Sequence, residues 1–314
     1  MRVNLRSTKL VILFCTLCCM LWGSAVPIIK IGYQLLKIDS SDIASQILFA
    51  GIRFFLSGVL TVIIGSIISK SFIYPRSIAS LLRAAKLSVF QTAIQYVFFY
   101  IGLANTTGVK SSILDGTSVF IALILSGLIF KMEKVTLLKV IGAVIGFIGV
   151  ILININTENI KALFDFSLLG EGFILISTTG YACSSVFMKR YSKYDDPTML
   201  SGYQFMIGGA AMALGGIAFG GRLLHFSFWA MIVTIYLILV SAVAYTIWAQ
   251  LLKHNPVSKI TVFSFLIPVF GSLFSTVMLK ESDILNPKGI FSLILVSAGI
   301  ILVSRGSFKN KTTE

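Results

Sequence analysis

The sequence predicts an all-α polytopic membrane protein, ten transmembrane helices arranged as two inverted five-helix repeats, and three observations lead there. The 314 residues are 56% hydrophobic and only 12% charged, with a mean hydropathy of +0.94. A soluble domain carries about 25% charged residues, so the polar surface here is too small to cover a water-exposed body. The apolar residues fall into ten runs, each close to the roughly 20 residues a helix needs to cross about 30 Å of hydrocarbon. Finally, the basic residues cluster between those runs, so membrane topology accounts for the formal charge of +14 without a nucleic-acid partner.

The first run, 10–29, follows Met1-Arg2-Val3-Asn4-Leu5-Arg6 and resembles a signal sequence, but it continues through Trp22 to Ile29 at full spanning length. Cys15, Cys18 and Cys19 in this run, and Cys183 in the sixth, lie inside predicted helices with no accompanying His. They read as apolar packing rather than a disulfide framework or metal site. The second run, 45–68, carries Arg53; the third, 87–104, carries Gln91 and Gln95 four residues apart. The fourth, 109–130, places Ser111, Asp115 and Ser118 on one helical stripe.

The fifth run, 136–155, holds Gly142-x-x-x-Gly146, and the seventh, 198–219, holds Gln204 and leads into Gly216-x-x-x-Gly220. Small residues at that spacing let helix backbones approach in a bilayer. The sixth run, 168–188, presents Ser177, Tyr181 and Ser184, and the eighth, 228–252, presents Ser241, Tyr245 and Trp248. The ninth, 257–279, contains Pro268, a hinge candidate because it removes a backbone hydrogen bond and clashes with the preceding turn. The tenth is 287–304.

Orientation follows from the charges. With the amino terminus in the cytoplasm, eighteen basic residues fall inside and seven outside, Arg53 lying within a helix. The asymmetry places both termini in the cytoplasm and requires an even number of spans. Local matches mark an internal repeat: Trp22-Gly23-Ser24 to Lys30 against Tyr181-Ala182-Cys183 to Lys189, and Phe130-Lys131-Met132-Glu133 against Met278-Leu279-Lys280-Glu281. Five helices per half, residues 1–156 and 157–314, force the second half upside down, with the substrate site near the midplane between them.

Two ionisable residues lie deep, and such residues are usually paired or functional. Arg53 and Asp115 sit at similar depth, so they either form a structural pair or act separately. In the second case Arg53 grips an anionic group, or Asp115 binds a substrate amine or a coupling proton. The aromatic faces of Trp22, Tyr181, Tyr245 and Trp248 suit a cationic or ring-bearing solute, and the polar stripes need a common wet interior. The substrate-site candidates are therefore Trp22, Arg53, Gln91, Gln95, Asp115, Tyr181, Gln204, Tyr245 and Trp248, with Asp115 also the coupling candidate. Glu133 and Glu281, at matching repeat ends, are expected to pair with neighbouring lysines or helix ends.

Taken together, Trp22-Gly23-Ser24, Arg53-Phe54, Glu133-Lys134-Val135-Thr136 running into Gly142 and Gly149, Pro256-Val257-Ser258, Leu266-Ile267-Pro268-Val269-Phe270, and Glu281 followed by Gly289 resemble the EamA-type transporters of the drug/metabolite transporter superfamily. The resemblance covers nearly the whole chain. It implies ten helices in two repeats and export or exchange of small metabolites across a bacterial inner membrane. One departure is Phe120, where such families often place a proline matched by Pro268; Asp115-Gly116-Thr117-Ser118 stands nearby instead.

The function expected is secondary transport of an amino acid, amine or related solute. The other class is a non-transporting membrane subunit or a lipid scramblase. An enzyme is disfavoured, since His225 and His254 lie in loops near opposite faces and no acid, base or metal groups converge. No glycine-rich loop with an adjacent Lys-Ser/Thr is visible, so neither ATP nor another cofactor is implied, and H⁺ is the candidate coupling ion. Reporter fusions after Lys37 and near Lys161 should report extracytoplasmic, and those near Arg76 and after Lys309 cytoplasmic. A cytoplasmic signal at Lys161 would contradict the ten-helix inverted topology.

Overall fold

The structure, a computed structural model, describes residues 5–39, 41–106, 108–154, 166–223, 225, 227–279 and 287–308. The proposed boundary between halves, Lys161, Glu281 and Lys309 lie outside the described residues. Long apolar helices dominate: α1 (Thr8–Leu36), α2 (Ile43–Ser69), α3 (Ile78–Ser88) continuing through a π-helical stretch (Val89–Val97) into α4 (Phe98–Ala104), and α5 (Gly108–Gly116). Next come α6 (Ser118–Ile124) with a π-helical end (Leu125–Ile129), α7 (Leu137–Asn154), and a π-helical turn (Leu168–Gly172) opening α8 (Phe173–Tyr191). The chain then forms α9 (Pro197–Ala218), α10 (Phe228–His254), α11 (Val257–Thr261), a 3₁₀ turn (Val262–Phe265), α12 (Leu266–Leu279) and α13 (Pro287–Phe308). No strand occurs among the described residues.

Among the described residues, six helical stretches are long and apolar enough to cross a membrane: Thr8–Leu36, Ile43–Ser69, Lys110–Ile129, Phe228–His254, Val257–Met278 and Pro287–Gly306. The α9 helix is 22 residues long, but Gln204 and its glycines dilute its apolar character. Leu137–Leu152 is apolar and shorter. Large apolar side chains such as Leu13, Ile63, Ile232 and Ile294 are exposed on the outside of the bundle, the surface a lipid solvent stabilises. This is an integral membrane protein.

The helices pack in a definite pattern. The α2 helix lies against α9, and α7 lies against α13. The α1 helix sits between α10 and α12, while α8 contacts the 89–97 stretch and α4 as well as α6. Glycines set how closely these helices approach. A Cβ on Gly51 would fall 2.3 Å from the Ala213 backbone, and one on Gly209 2.3 Å from the Phe55 nitrogen. On the α7–α13 seam a Cβ on Gly142 would meet the Gly299 carbonyl at 2.8 Å, as the Gly142-x-x-x-Gly146 spacing predicts. The second glycine pair divides its roles. A Cβ on Gly216 would meet Leu48 backbone at 2.7 Å, but one on Gly220 would meet nothing within 4 Å, and Gly220 has φ +87°. Gly220 therefore serves the turn after α9, where a left-handed backbone favours glycine.

Two sequence expectations about helix regularity need correction. Gln91 and Gln95 do not lie on an α-helical stripe, because Val89–Val97 is π-helical. The Ser111, Asp115, Ser118 stripe is interrupted at Thr117, between α5 and α6. Pro268 lies in the first turn of α12 rather than mid-helix, where its missing N–H costs less, and the 3₁₀ turn Val262–Phe265 precedes it. The cysteines follow expectation as buried or half-buried free thiols. Cys19 Sγ donates to the Phe263 carbonyl at 3.1 Å, joining α1 to that 3₁₀ turn.

Glu133 ties three segments together at one end of the bundle. Its carboxylate accepts from the Ser126 hydroxyl at 2.7 Å, the Ser258 backbone N–H at 2.9 Å, the Ser258 hydroxyl, and Lys139 Nζ at 2.5 Å. Lys139 is only 1% exposed, so the ammonium depends on this partner. Burial raises the Glu133 carboxyl, but Lys139 and the Ser258 hydrogen bonds outweigh it and hold the group below its ordinary value. A carboxylate lowered in the folded state stabilises the fold above its ordinary titration range, and that contribution is lost as pH falls through the lowered value. Glu133→Gln should therefore cost about 3–5 kcal/mol, the scale for breaking one side of a buried pair. Melting curves against pH test this: the variant should lack the wild type's loss of stability on acidification, and an unchanged acid dependence would contradict the assignment.

Candidate substrate site

Most of the polar and aromatic residues singled out in the sequence lie on α1, α2, the 89–97 stretch, α8, α9 and α10. Trp22 on α1 packs against Tyr245 and Trp248 on α10, with ring centroids 4.9 and 5.0 Å apart. Tyr245 in turn meets Phe205 on α9 at 4.8 Å, and its hydroxyl lies 2.7 Å from that of Tyr96. Phe54 closes the cluster, stacked on Phe205 at 5.2 Å and tilted on Tyr96 at 4.4 Å. The side chains of one ring system thus come from five separated stretches of sequence. Packing of this kind is worth about 0.5–1.5 kcal/mol per aromatic pair beyond simple burial.

Arg53 stands beside that cluster, 4% exposed, with its guanidinium carbon 4.5 Å from the Phe54 ring centre. Tyr33, Tyr96 and Tyr245 all lie within electrostatic reach of it. Ion pairs among the described residues join Arg83 to Asp195, Lys110 to Glu171 and Lys139 to Glu133; none involves Arg53. Asp115 does not pair with it. The Asp115 carboxylate instead accepts from the Thr178 hydroxyl of α8 at 3.0 Å. The opposite charges that the sequence placed at equal depth face different helices.

The amide side chains complete the arrangement. Thr92 donates to Gln204 Oε1 at 2.8 Å, which leaves Gln204 Nε2 unpartnered on a fully buried side chain. Ser177 of α8 donates to the Gln95 backbone carbonyl at 2.6 Å, fixing the π-helical stretch against α8. A π-helical segment widens the turn and commonly marks a functional position; here it carries both glutamines. Seven of the nine candidate residues keep a buried polar atom with no protein partner: Trp22 Nε1, Arg53 Nε, Gln91 Oε1, Gln95 Oε1, Tyr181 OH, Gln204 Nε2 and Trp248 Nε1. Each such atom costs about 1–3 kcal/mol if nothing satisfies it. Trp22 and Trp248 belong to the aromatic cluster and Arg53 lies beside it; Tyr33, Thr61, Thr136, Ser201 and Ser264 also keep unpartnered buried hydroxyls.

The structure therefore brings Trp22, Tyr245 and Trp248 into direct contact and sets Arg53, Gln95 and Gln204 next to cluster members. Asp115 is half-buried and bonded on the α8 side. The sequence reading missed Phe54, Tyr96 and Phe205, each adjacent to a residue it did single out, and Thr92, which anchors Gln204. A pattern that weighed aromatic neighbours of intramembrane polar residues would have found the first three. Pro27, inside α1, was also passed over; it removes the hydrogen bond to the Gly23 carbonyl one turn after Trp22.

Comparison with known proteins gives consistent results. A family model described as the EamA-like transporter family matches residues 9–155 and 168–305. A WAT1-related chloroplastic protein of Arabidopsis thaliana is 26% identical over 90% of this chain, which spans 65% of that protein's length. An uncharacterized transporter of Archaeoglobus fulgidus is 27% identical over 90% of this chain and 95% of its own length. One solved crystal structure superposes with a TM-score of 0.75 over 96% of this chain and 99% of its own, at 14% identity, a likeness of fold alone.

Proposed function

The chain belongs to the EamA-like transporter family, and from that premise we propose that it is a secondary transporter carrying a small metabolite through the central site by alternating access. The observation that carries this reading is the set of unpartnered polar atoms around the Trp22, Tyr245 and Trp248 cluster. A bilayer core offers no water to satisfy such atoms from outside. A solute held at the meeting point of the helices, or water admitted with it, satisfies them.

Ten spans in two inverted halves, 1–156 and 157–314, are part of the proposal. Helix packing supports it: shifting every helix by one half turns the α1 contacts with α10 and α12 into the α8 contacts with the 89–97 stretch and α6. The pairs α2–α9 and α7–α13 map onto themselves. Such exchange is what a pseudo-two-fold axis in the membrane plane produces. Rocking of the halves about this axis exposes the site to each side in turn, and the proline and 3₁₀ break before α12 give Pro268 a place as hinge. Both termini face the cytoplasm of a bacterial inner membrane in this reading, and export or exchange is favoured over import.

Substrate chemistry follows from Arg53. A guanidinium without a carboxylate partner favours a solute that brings one, so amino acids rank above simple amines. The aromatic rings hold its apolar part and the glutamines its remaining polar atoms. Asp115, with one hydroxyl partner, is the group that takes a coupling proton, with the solute gradient as the other source of energy.

Proteoliposomes holding only this protein test the proposal with labelled amino acids and amines. Exchange should occur, and Arg53→Gln should weaken recognition of carboxylate solutes about 10- to 100-fold, the range of a hydrogen bond to a charged group. Asp115→Asn should still exchange solute between equal pools while losing accumulation driven by a pH gradient. Folded protein inert toward the whole panel would favour the non-transporting subunit.

A further inference from the structure

A groove of about 580 Å³ opens at the end of the bundle where the 71–76 segment, the α8–α9 connection and the end of α10 meet. It shares no residue with the central site. Arg6, Arg76, Lys189, Lys193 and Lys253 line it, against only two carboxylates, Asp195 and Asp196. Both carboxylates are already engaged. Asp195 binds Arg83 Nε at 2.5 Å and the Ser80 hydroxyl, and Asp196 caps α9 through the Thr198 and Met199 N–H groups at 2.8 and 3.1 Å. Lys189 Nζ donates to the Lys253 carbonyl at 2.8 Å, which holds its ammonium at the groove with further N–H bonds to give.

Around the groove the surface is apolar and aromatic. Phe72 and Tyr74 stack with centroids 6.2 Å apart and are 67% and 54% exposed; Tyr194 is 72% exposed. At the end of α2, leading to the groove, Ile67 and Ile68 are 71% and 78% exposed. Exposed aromatic rings mark the headgroup level of a membrane. A basic pocket between helices at that level has the chemistry of a phospholipid headgroup site. A soluble phosphate would use the cations alone and leave the apolar approach along α2 without a role. We propose that this groove binds the headgroup of an anionic phospholipid, phosphate against the basic side chains and acyl chains along the exposed end of α2.

Full-length protein, delipidated in neutral detergent, can be titrated with phosphatidylglycerol or phosphatidylcholine and read by native mass spectrometry. Phosphatidylglycerol should bind at least about tenfold more tightly, a preference of one to two charges' worth, and each groove cation removed should weaken it roughly fivefold. Arg76→Gln, Lys193→Gln and Lys253→Gln combined should thus lose about a hundredfold. Lys193→Gln alone, at an exposed position, gives the single fivefold step if the triple variant folds poorly. Equal binding of the two lipids, or an unchanged preference in Lys193→Gln, would overturn the proposal. Competition by glycerol phosphate at concentrations equal to the lipid's would assign the groove to a soluble anion and overturn the lipid assignment.

Discussion

A polar atom inside a bilayer must find its partner within the protein or within what the protein encloses, and most of this structure follows from where that requirement is met and where it is left open. At the helix seams, glycines on α2, α9, α7 and α13 let backbones approach closely, although Thr61 and Ser201 on the α2 and α9 helices keep unpartnered hydroxyls. At the centre the requirement is left open. Trp22, Arg53, Gln91, Gln95, Tyr181, Gln204 and Trp248 each direct a buried polar atom to no protein partner. The close seams and the open centre are complementary: backbone contact at the periphery holds in place a core that is not fully satisfied.

The ends of the bundle show the opposite economy. Glu133 accepts four hydrogen bonds from Ser126, Ser258 and Lys139. Glu171, between α5 and α8, accepts from Thr106 at 2.5 Å and the Ser167 N–H at 2.7 Å, with Lys110 at 3.0 Å. These carboxylates sit in or beside breaks in the helices, where backbone groups would otherwise lack partners. Charge is satisfied where the chain turns, whereas Arg53 enters no ion pair among the described residues.

Much of this was legible in the sequence. Apolar run length gives the all-helical membrane character, with six clear spans among the described residues, and of the aromatic residues singled out Trp22, Tyr245 and Trp248 do meet. Glu133 was readable as paired, though its Ser258 and Ser126 partners lie on other segments and no local pattern reveals them. Less legible were the departures from α-helical period. The 89–97 stretch is π-helical and packs on α8, and the chain breaks at Thr117, so a stripe drawn at α-helical spacing misplaces Gln91, Gln95 and Asp115. The separation of Arg53 from Asp115 was invisible for a related reason: depth along a helix is read from residue number, but facing is set by which neighbour packs there. Gly220 shows the limit of spacing motifs, since the same interval that brings Gly216 against Leu48 carries Gly220 into a turn.

The central claim is that the unpartnered polar atoms border a compartment that water and solute enter. Single cysteines at Gln95, Gln204 and Trp248, in a background lacking Cys15, Cys18, Cys19 and Cys183, measure this through reaction with a membrane-impermeant, water-soluble thiol reagent. Reaction at these positions, slowed by a transported solute, is the predicted result. Cysteines that remain inert at all three positions in folded, active protein would contradict it and make the cluster a dry core.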